Sequence, residues 1–414
     1  MAHTKDLWWR TVKKPDGTKE RVKTTRHGKG KRYLAVWHDP NDREKSRAFA
    51  KKGDADRHGA AMETDRARGD YMDPSAGKIL FGELAERWFR SLVVDPASEI
   101  HYRGVHKRHV EPTFDRRSVK SIKPSDIAAR VREVNERYSA STAASALLVI
   151  RGVLEIAEAD GSIKKNPARS KIVRQPKAQS RDVEVWADDT ITCLVAAHSE
   201  DLRPIPVVGA GCGMRQGEIF ALALEDIDFE GEILHVRRQV KKLNKSYVFA
   251  LPKNDKTRTV PLPEWVARTL KDHVERTPPK PYTLPWEKPD GPPHTVRLLF
   301  RWSCGGHLKA RNYSETVWKP ALAEVGVIPE PETDKRGRRR YKTTRREGLH
   351  QLRHYYASIQ LDAGVSVVAL ASYLGHDPKV TLSIYGHMLP SSDGRARKAI
   401  DDRLNQGSRP SDGT

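Results

Sequence analysis

A basic segment at residues 169–183 most constrains how this chain can fold. Its sequence, RSKIVRQPKAQSRDV, lacks the apolar period of a helix or a strand. Such a composition is typical of an extended connector. At 414 residues the chain is also too long for one ordinary hydrophobic core. We therefore expect separate folding units on the two sides of this segment.

The charge of the chain indicates its partner. The net charge is +21 and the isoelectric point is near 9.8. A positive field of this size favours a polyanion, most often nucleic acid, although a basic protein with no such partner is the alternative. The three cysteines, Cys193, Cys212 and Cys304, lie far apart, which argues against a disulfide framework or a structural zinc. With no signal-peptide start and no run of about 20 apolar residues, a cytoplasmic protein without a membrane segment is expected.

The first 75 residues are expected to form a small β-rich module followed by a helix at 54–71. Residues 1–32 hold 11 lysines and arginines against 3 acidic residues. Basic side chains interleaved with tryptophan and tyrosine suit contacts to a nucleic-acid backbone, although a solvated surface around an aromatic core gives the same pattern. The expected strands lie at 7–12, 32–38 and 46–50.

Residues 76–170 carry the apolar period of helices. In the segment 79–92, Leu80, Leu84, Trp88 and Leu92 share one helix face. Ser125 is a suitable N-cap for a helix at 127–138, and a long apolar helix is expected at 139–159. This pattern predicts a helical bundle and by itself selects no function.

Residues 185–405 hold the candidate catalytic side chains. Arg215 lies in Gly-Met-Arg-Gln-Gly-Glu and opens a predicted helix. His350 and Arg353 are spaced i and i+3, so they share one helix face, and His354 is expected to face elsewhere. Tyr385 follows Leu-Gly-His376 by nine residues. Three strands are predicted between 231 and 262, a proline-rich surface loop at 278–298, and helices at 312–325 and from 350 onward.

These strings, in this order, resemble those of the tyrosine recombinase or phage integrase family. The resemblance covers about 185–390. It implies that Tyr385 attacks a DNA phosphate, that Arg215 and Arg353 clamp the phosphate, and that His350 acts as the base. His376 would hydrogen-bond the transition state, and Glu218 would orient Arg215. Lys253 would protonate the leaving 5′-oxygen, with Lys256 and Arg258 as competing choices.

The family also implies the fold. We expect a multidomain chain, mainly α with small sheets: an N-terminal β-β-β-α arm-binding-like module at 1–75, a helical (SAM-like) core-binding domain at 76–170, a basic linker at 171–184, an α+β catalytic domain at 185–405 and a disordered tail at 406–414. The run at 335–346 holds eight basic residues and is expected to be an inserted loop against DNA or a solvated segment. The helix at about 391–405 would dock on a neighbouring protomer.

The implied function is site-specific cutting and rejoining of double-stranded DNA by a homotetramer, with no cofactor and no metal. A DNA-bending or directionality accessory protein is a further expected partner, and the setting is the nucleoid of a bacterial cytoplasm. Two alternatives remain open. The same residues could serve a type IB-like topoisomerase, or the scaffold could be a DNA-binding regulator that cuts nothing.

Overall fold

The computed structural model describes residues 2–15, 17–69, 71, 73, 76–177, 184–344, 346–388 and 393–405. The chain divides into two compact units, 1–179 and 180–414. The division falls within the basic segment that lacks periodicity. The expected disorder of 406–414 lies outside the described residues.

The first unit begins with two small antiparallel sheets. Strands β1 (His3–Asp6), β4 (Tyr33–His38) and β5 (Glu44–Phe49) form one sheet in the order β1-β4-β5. Helix α1 (Lys52–Ala67) packs on β4, where Ala35, Trp37 and Ala55 are buried. A separate hairpin is made of β2 (Trp9–Lys13) and β3 (Lys19–Lys23). The three predicted strands correspond to β2, β4 and β5, so the prediction missed β1 and β3. Strand β3 is exposed on both faces and therefore lacks alternation.

The rest of this unit is helical and has its own core. Ser139 caps the long central helix α6 with its side chain. Ser125 is not an N-cap, because α5 begins one residue earlier at Pro124, a residue whose fixed φ suits the first turn. The helices are α2 (Phe81–Ser91), α3 (Pro96–Val105), α4 (Glu111–Phe114), α5 (Pro124–Arg137) and α6 (Ala140–Ala159).

Helix α6 is the one described helix that is long and apolar enough to cross a membrane by length and composition. The sequence expectation missed this run. The helix packs on α2, α3 and α5, and its buried residues include Leu147, Ile150 and Val153. These contacts are those of the central helix of a helical domain.

The second unit combines small sheets with helices. Strands β10, β7 and β6 form one antiparallel sheet in that order, and β8 pairs with β9 in a hairpin. The first elements are α7 (Asp188–Ala196), α8 (Pro204–Cys212), α9 (Gln216–Ile219), β6 (Ile227–Asp228), β7 (Ile233–Val236), β8 (Gln239–Leu243), β9 (Ser246–Ala250), β10 (Arg258–Pro261) and α10 (Glu264–Arg276).

Two hairpins replace expected loops. The proline-rich stretch is not a loop but pairs β11 (Lys280–Pro285) with β12 (Pro293–Leu298). In a two-stranded sheet both strands are edges, where proline costs no ladder hydrogen bond. The basic run includes β14 (Arg339–Arg340), which pairs with β13 (Glu332–Thr333).

The helices that carry the candidate site come last. Helix α13 packs on α8, and α14 packs on α15. The elements are α11 (Ala310–Tyr313), α12 (Lys319–Glu324), α13 (His350–Asp362), α14 (Val367–Leu374), α15 (Pro378–Tyr385) and α16 (Asp393–Asn405). A large apolar core that includes Leu352, Tyr356 and Tyr385 packs helices α11 to α15 together.

Candidate active site

A buried carboxylate holds two arginines. The side chain of Glu218 is fully buried, and its two oxygens accept hydrogen bonds of 3.0 and 2.7 Å from Arg258 Nη1 and Nη2. Arg215 Nη1 donates to Glu218 Oε1 at 2.9 Å. Burial by itself would raise the pKa of Glu218, but the Arg258 hydrogen bonds and the charges of both arginines outweigh it and lower that pKa to about 2. The carboxylate is therefore ionised and orients Arg215.

Arg353 is the largest fully buried side chain among the described residues. Its Nη1 donates to Gly213 O at 2.7 Å, and its Nη2 donates to Leu374 O. Burial lowers the pKa of Arg353 to about 9, so the guanidinium stays charged at neutral pH. Its Nε has no hydrogen-bond partner among the described residues.

The tautomer of His376 follows from its contact with Arg353. Arg353 Nη2 lies 2.8 Å from His376 Nε2, and a guanidinium can only donate. Nε2 therefore accepts, and the proton sits on Nδ1. Burial, reinforced by the charge of Arg353, lowers the pKa of His376 to about 3, so the ring is neutral. Nδ1 is buried and has no partner among the described residues.

Two glycines bring these groups together. Gly213 ends α8 with φ of +61°, and a Cβ there would lie 2.4 Å from the ring of Tyr356. Gly375 ends α14 with φ of +61°, and its carbonyl accepts from Arg215 Nη2 at 3.4 Å. Left-handed backbone suits glycine. The glycines thus let the backbone supply carbonyls where the arginines need acceptors.

Tyr385 ends helix α15 and is 1 % exposed. Its hydroxyl lies 2.8 Å from Nδ1 of His354. Burial raises the pKa of Tyr385 to about 12, against the opposing charges of Arg353 and Arg215. The phenol is thus neutral and retains its proton at neutral pH.

The expectation that His354 faces away from the site is wrong. His350 and His354 are spaced i and i+4, which places their rings on the same helix face. The i and i+3 spacing of His350 and Arg353 has the same effect. The two imidazoles meet edge to face with centroids 4.7 Å apart. His350 is exposed at the first turn of α13. Loss of hydration and the neighbouring His354 and Arg353 lower the pKa of His350 to about 4.

The structure places Lys253 apart from these contacts. It is exposed in a short turn between β9 and β10. No hydrogen bond or ion pair joins it to the other five predicted residues within the described part of the chain. Arg258, one of the competing choices, is instead buried against Glu218 and donates to Tyr373 O at 2.7 Å. Its bonds hold it as a structural partner of Arg215.

The described residues include one group with the ligand types and spacing of a metal site. His106, Glu111 and Asp115 lie together in the helical part of the first unit. His106 Nε2 is hydrogen-bonded to Asp115 Oδ1 at 3.0 Å. This pair is satisfied internally and belongs to the unit that lacks Tyr385.

The roles of two side chains in the site were not predicted from the sequence. His354 could have been found from its i and i+4 spacing to His350. Arg258 could not be distinguished from Lys253 and Lys256, because its pairing with Glu218 bridges 40 positions and leaves no local pattern.

Known proteins resemble this chain in sequence over most of its length. Residues 207–391 match the phage integrase family and residues 81–171 match the phage integrase central domain. A tyrosine recombinase XerC-like protein of Caldanaerobacter subterraneus subsp. tengcongensis is 24 % identical over 360 residues, which are 80 % of this chain and 84 % of that protein. The integrase of Mycobacterium phage L5 is 23 % identical over 305 residues, 73 % of each chain.

Solved structures share the fold. The Tn1549 transposon integrase in complex with transposon right end DNA aligns with a TM-score of 0.62 at 18 % identity, over 79 % of this chain and 100 % of that one. A lambda integrase tetramer bound to a Holliday junction aligns with a TM-score of 0.54 at 15 % identity, over 83 % and 93 %. The order of the matched segments, the mainly helical multidomain fold and the cluster around Tyr385 lead to one conclusion: this chain is a tyrosine recombinase of the phage integrase family.

Proposed function

We propose that this enzyme cuts and rejoins double-stranded DNA at specific sites through a covalent 3′-phosphotyrosyl intermediate at Tyr385, integrating or excising a mobile element. The observation that carries the proposal is the linked cluster in the second unit. A tyrosine hydroxyl bound to a neutral histidine lies within the electrostatic reach of two oriented arginines, one of which contacts a second neutral histidine. Each has a place in phosphodiester transfer.

Arg215 and Arg353 bind the two non-bridging phosphate oxygens. Their guanidiniums are fixed by Glu218 and by backbone carbonyls, so little reorganisation is needed when charge develops on the phosphate. The unpartnered Arg353 Nε and His376 Nδ1 are N–H donors suited to the same anion. His350 is exposed beside them and completes the set that faces the DNA.

The reaction balances without a cofactor. The oxygen of Tyr385 forms a bond to phosphorus as the bond to the 5′-oxygen breaks, and the phenolic proton passes to a base. Lys253, exposed on the turn before β10, protonates the departing oxygen, and this role requires it to approach when DNA is bound. A 5′-hydroxyl from a partner duplex then reverses the step, so no nucleotide energy source is consumed.

Strand exchange between two duplexes requires four active sites, so a homotetramer on DNA is part of the proposal. The lambda integrase tetramer on a Holliday junction supports it by fold similarity. Exposed Ile400 and Leu404, four residues apart on α16, offer an apolar strip for a neighbouring protomer. A bending or directionality protein and action at the bacterial nucleoid belong to the same proposal.

The central experiment compares the enzyme with Tyr385→Phe on nicked duplexes that carry its attachment site. The wild type is expected to leave a protein–DNA adduct on a denaturing gel. The Phe variant is expected to bind the same DNA with unchanged affinity and to form no adduct, because only the oxygen is lost. An adduct with the Phe variant refutes the assignment of Tyr385.

A second assay separates the proposal from its alternatives. Recombination between two defined sites supports it. Relaxation of supercoils without exchange between sites points to a topoisomerase instead. Full biological activity of an Arg215→Ala variant points to a regulator that cuts no DNA.

A further inference from the structure

We infer that His354, rather than His350, accepts the proton of Tyr385 when the tyrosine attacks DNA. This inference rests on the proposed function and adds to it a residue that touches the reacting oxygen. The contact is direct: His354 Nδ1 lies 2.8 Å from the hydroxyl, within ordinary hydrogen-bond length.

The direction of this hydrogen bond follows from what surrounds it. Tyr385 is buried, and His354 Nδ1 is the one acceptor for its hydroxyl proton among the described residues. If Nδ1 carried a hydrogen and donated, the phenolic proton would be buried without a partner, which costs about 1–3 kcal/mol. The hydroxyl therefore donates, His354 Nδ1 accepts, and the imidazole proton resides on Nε2.

The ring is held in that position by two contacts. The centroids of the Tyr385 and His354 rings lie 5.6 Å apart in a T-shaped arrangement, and those of the His350 and His354 rings lie 4.7 Å apart. Helix α13 carries His354 and α15 ends at Tyr385, and both belong to one apolar core. The base and the nucleophile are therefore positioned before DNA arrives.

The neighbouring charges decide when the proton moves. Burial, followed by the charge of Arg353, lowers the pKa of His354 to about 4, so the ring is neutral and its lone pair is free to accept. A phosphate between Arg353 and Arg215 brings negative charge that offsets both guanidiniums. As the Tyr385 oxygen bonds to phosphorus its affinity for the proton falls, and the proton passes to His354 Nδ1 in the same step.

His350 lacks the corresponding contact. It is exposed, and its described interaction is with the ring of His354. The geometry assigns it to the DNA side of the site, and its variant is the matched control.

The experiment measures the rate of adduct formation on nicked duplexes with wild type, His354→Asn and His350→Gln. Asparagine places an oxygen close to the position of Nδ1, so it retains the hydrogen bond but does not take a proton. We expect His354→Asn to slow adduct formation by about 100-fold or more, with unchanged DNA affinity and melting temperature. If that variant fails to fold, His354→Gln serves in its place.

Each enzyme is then made with a fluorinated tyrosine at position 385, whose phenol is more acidic. A more acidic phenol depends less on a base. With the fluorinated tyrosine, the factor by which His354→Asn slows adduct formation is therefore expected to be about tenfold smaller. A purely positional role for His354 would leave that loss unchanged, which would overturn the inference. The inference also fails if the loss caused by His350→Gln shrinks and that of His354→Asn does not.

A substrate with sulfur at the 5′-bridging position completes the test, because a thiolate leaves without protonation. This substrate is expected to restore the rate of adduct formation in Lys253→Ala but not in His354→Asn. Rescue of His354→Asn would place that residue on the leaving group and overturn the inference. A wild type that forms no adduct would end the proposed function itself, whereas an active wild type with a fully active His354→Asn ends this inference alone.

Discussion

Glu218 and Asp6 each hold a pair of arginines, and the surroundings of these two carboxylates differ. Glu218 binds Arg215 and Arg258 with its side chain fully buried. Asp6, in the N-terminal module, binds Arg21 and Arg32 at 2.7 and 3.0 Å with its side chain 19 % exposed. Arg258 is 5 % exposed, whereas Arg21 is 59 % exposed.

The difference shows that burial determines whether an arginine is held in a fixed position or remains exposed to water and salt. Around Glu218 both guanidiniums are held by hydrogen bonds to a fully buried carboxylate. Removing one partner leaves an uncompensated charge inside the protein, at a cost of about 3–5 kcal/mol. Around Asp6, water and salt screen the same pairing. The buried cluster can therefore orient a phosphate, whereas the exposed cluster can contribute only a field and replaceable contacts.

The largest expected effect compares Arg353, a buried arginine of the candidate site, with Arg21, an exposed arginine held by Asp6. Arg353→Ala should slow adduct formation by at least about 10³-fold, because a fixed cation that faces developing negative charge is lost. Arg21→Ala should change the same rate less than about threefold when the DNA is saturating. Rates on nicked duplexes, with melting temperatures and DNA affinities measured in parallel, test the comparison. Equal losses in the two variants would break it.

Neutralising the two carboxylates should sharpen the comparison. Glu218→Gln should lower the free energy of unfolding by about 3 kcal/mol and slow adduct formation by up to about 100-fold, since Arg215 loses its orientation. Asp6→Asn should move the melting temperature by no more than about 2 °C and should strengthen DNA binding slightly by removing an anion. Thermal unfolding and gel-shift titration measure both. A destabilised Asp6→Asn would contradict the role given to exposure.

Acid offers a third test. Because the folded-state pKa of Glu218 is lowered from its ordinary value of 4.5 to about 2, its contribution to stability is present above 4.5 and is lost as the pH falls toward 2. The stability advantage of wild type over Glu218→Gln should therefore shrink between about pH 5 and pH 3. An advantage that grows in acid would show that the carboxylate is not stabilised by its arginines.

The smallest effect concerns the β2–β3 hairpin. Arg21 and Lys23 lie 5.2 and 5.9 Å from the centre of the Trp9 ring, and both are exposed. If they contact the DNA backbone, replacing both by alanine should weaken binding severalfold and reduce the slope of log affinity against log salt by up to about 2. Trp9→Phe, which leaves both charges in place, is the control and should not alter the slope. An unchanged slope in the double variant would remove the hairpin from the DNA interface.

The sequence predicted what depends on local period. Helices α2 and α6 lie within two residues of their expected bounds, and α13 begins at the expected residue 350, because an apolar stripe is visible in the local sequence. The choice of Arg215, Arg353 and Tyr385 rested on short strings, and the structure brings all three into one cluster.

What could not be predicted depends on contacts between distant segments. In the sequence, Arg258 cannot be told from a surface cation, because its partner Glu218 lies 40 positions earlier in the chain. The prolines of β11 and β12 indicated a loop, and only pairing in a two-stranded sheet makes them tolerable. The orientation of His354 was mispredicted although its signal is local, because the i and i+4 spacing from His350 places both rings on one helix face.

The two unpartnered N–H groups beside the clamp have a further consequence. Arg353 Nε and His376 Nδ1 are buried donors without a hydrogen-bond partner among the described residues, so we expect the free enzyme to bind inorganic oxyanions before it meets any duplex. Vanadate, whose geometry approximates pentavalent phosphorus, would fill both donors at once. Bound vanadate would raise the melting temperature of the enzyme and inhibit DNA cleavage. The shift in melting temperature would report on the phosphate-binding arginines without knowledge of the attachment sequence.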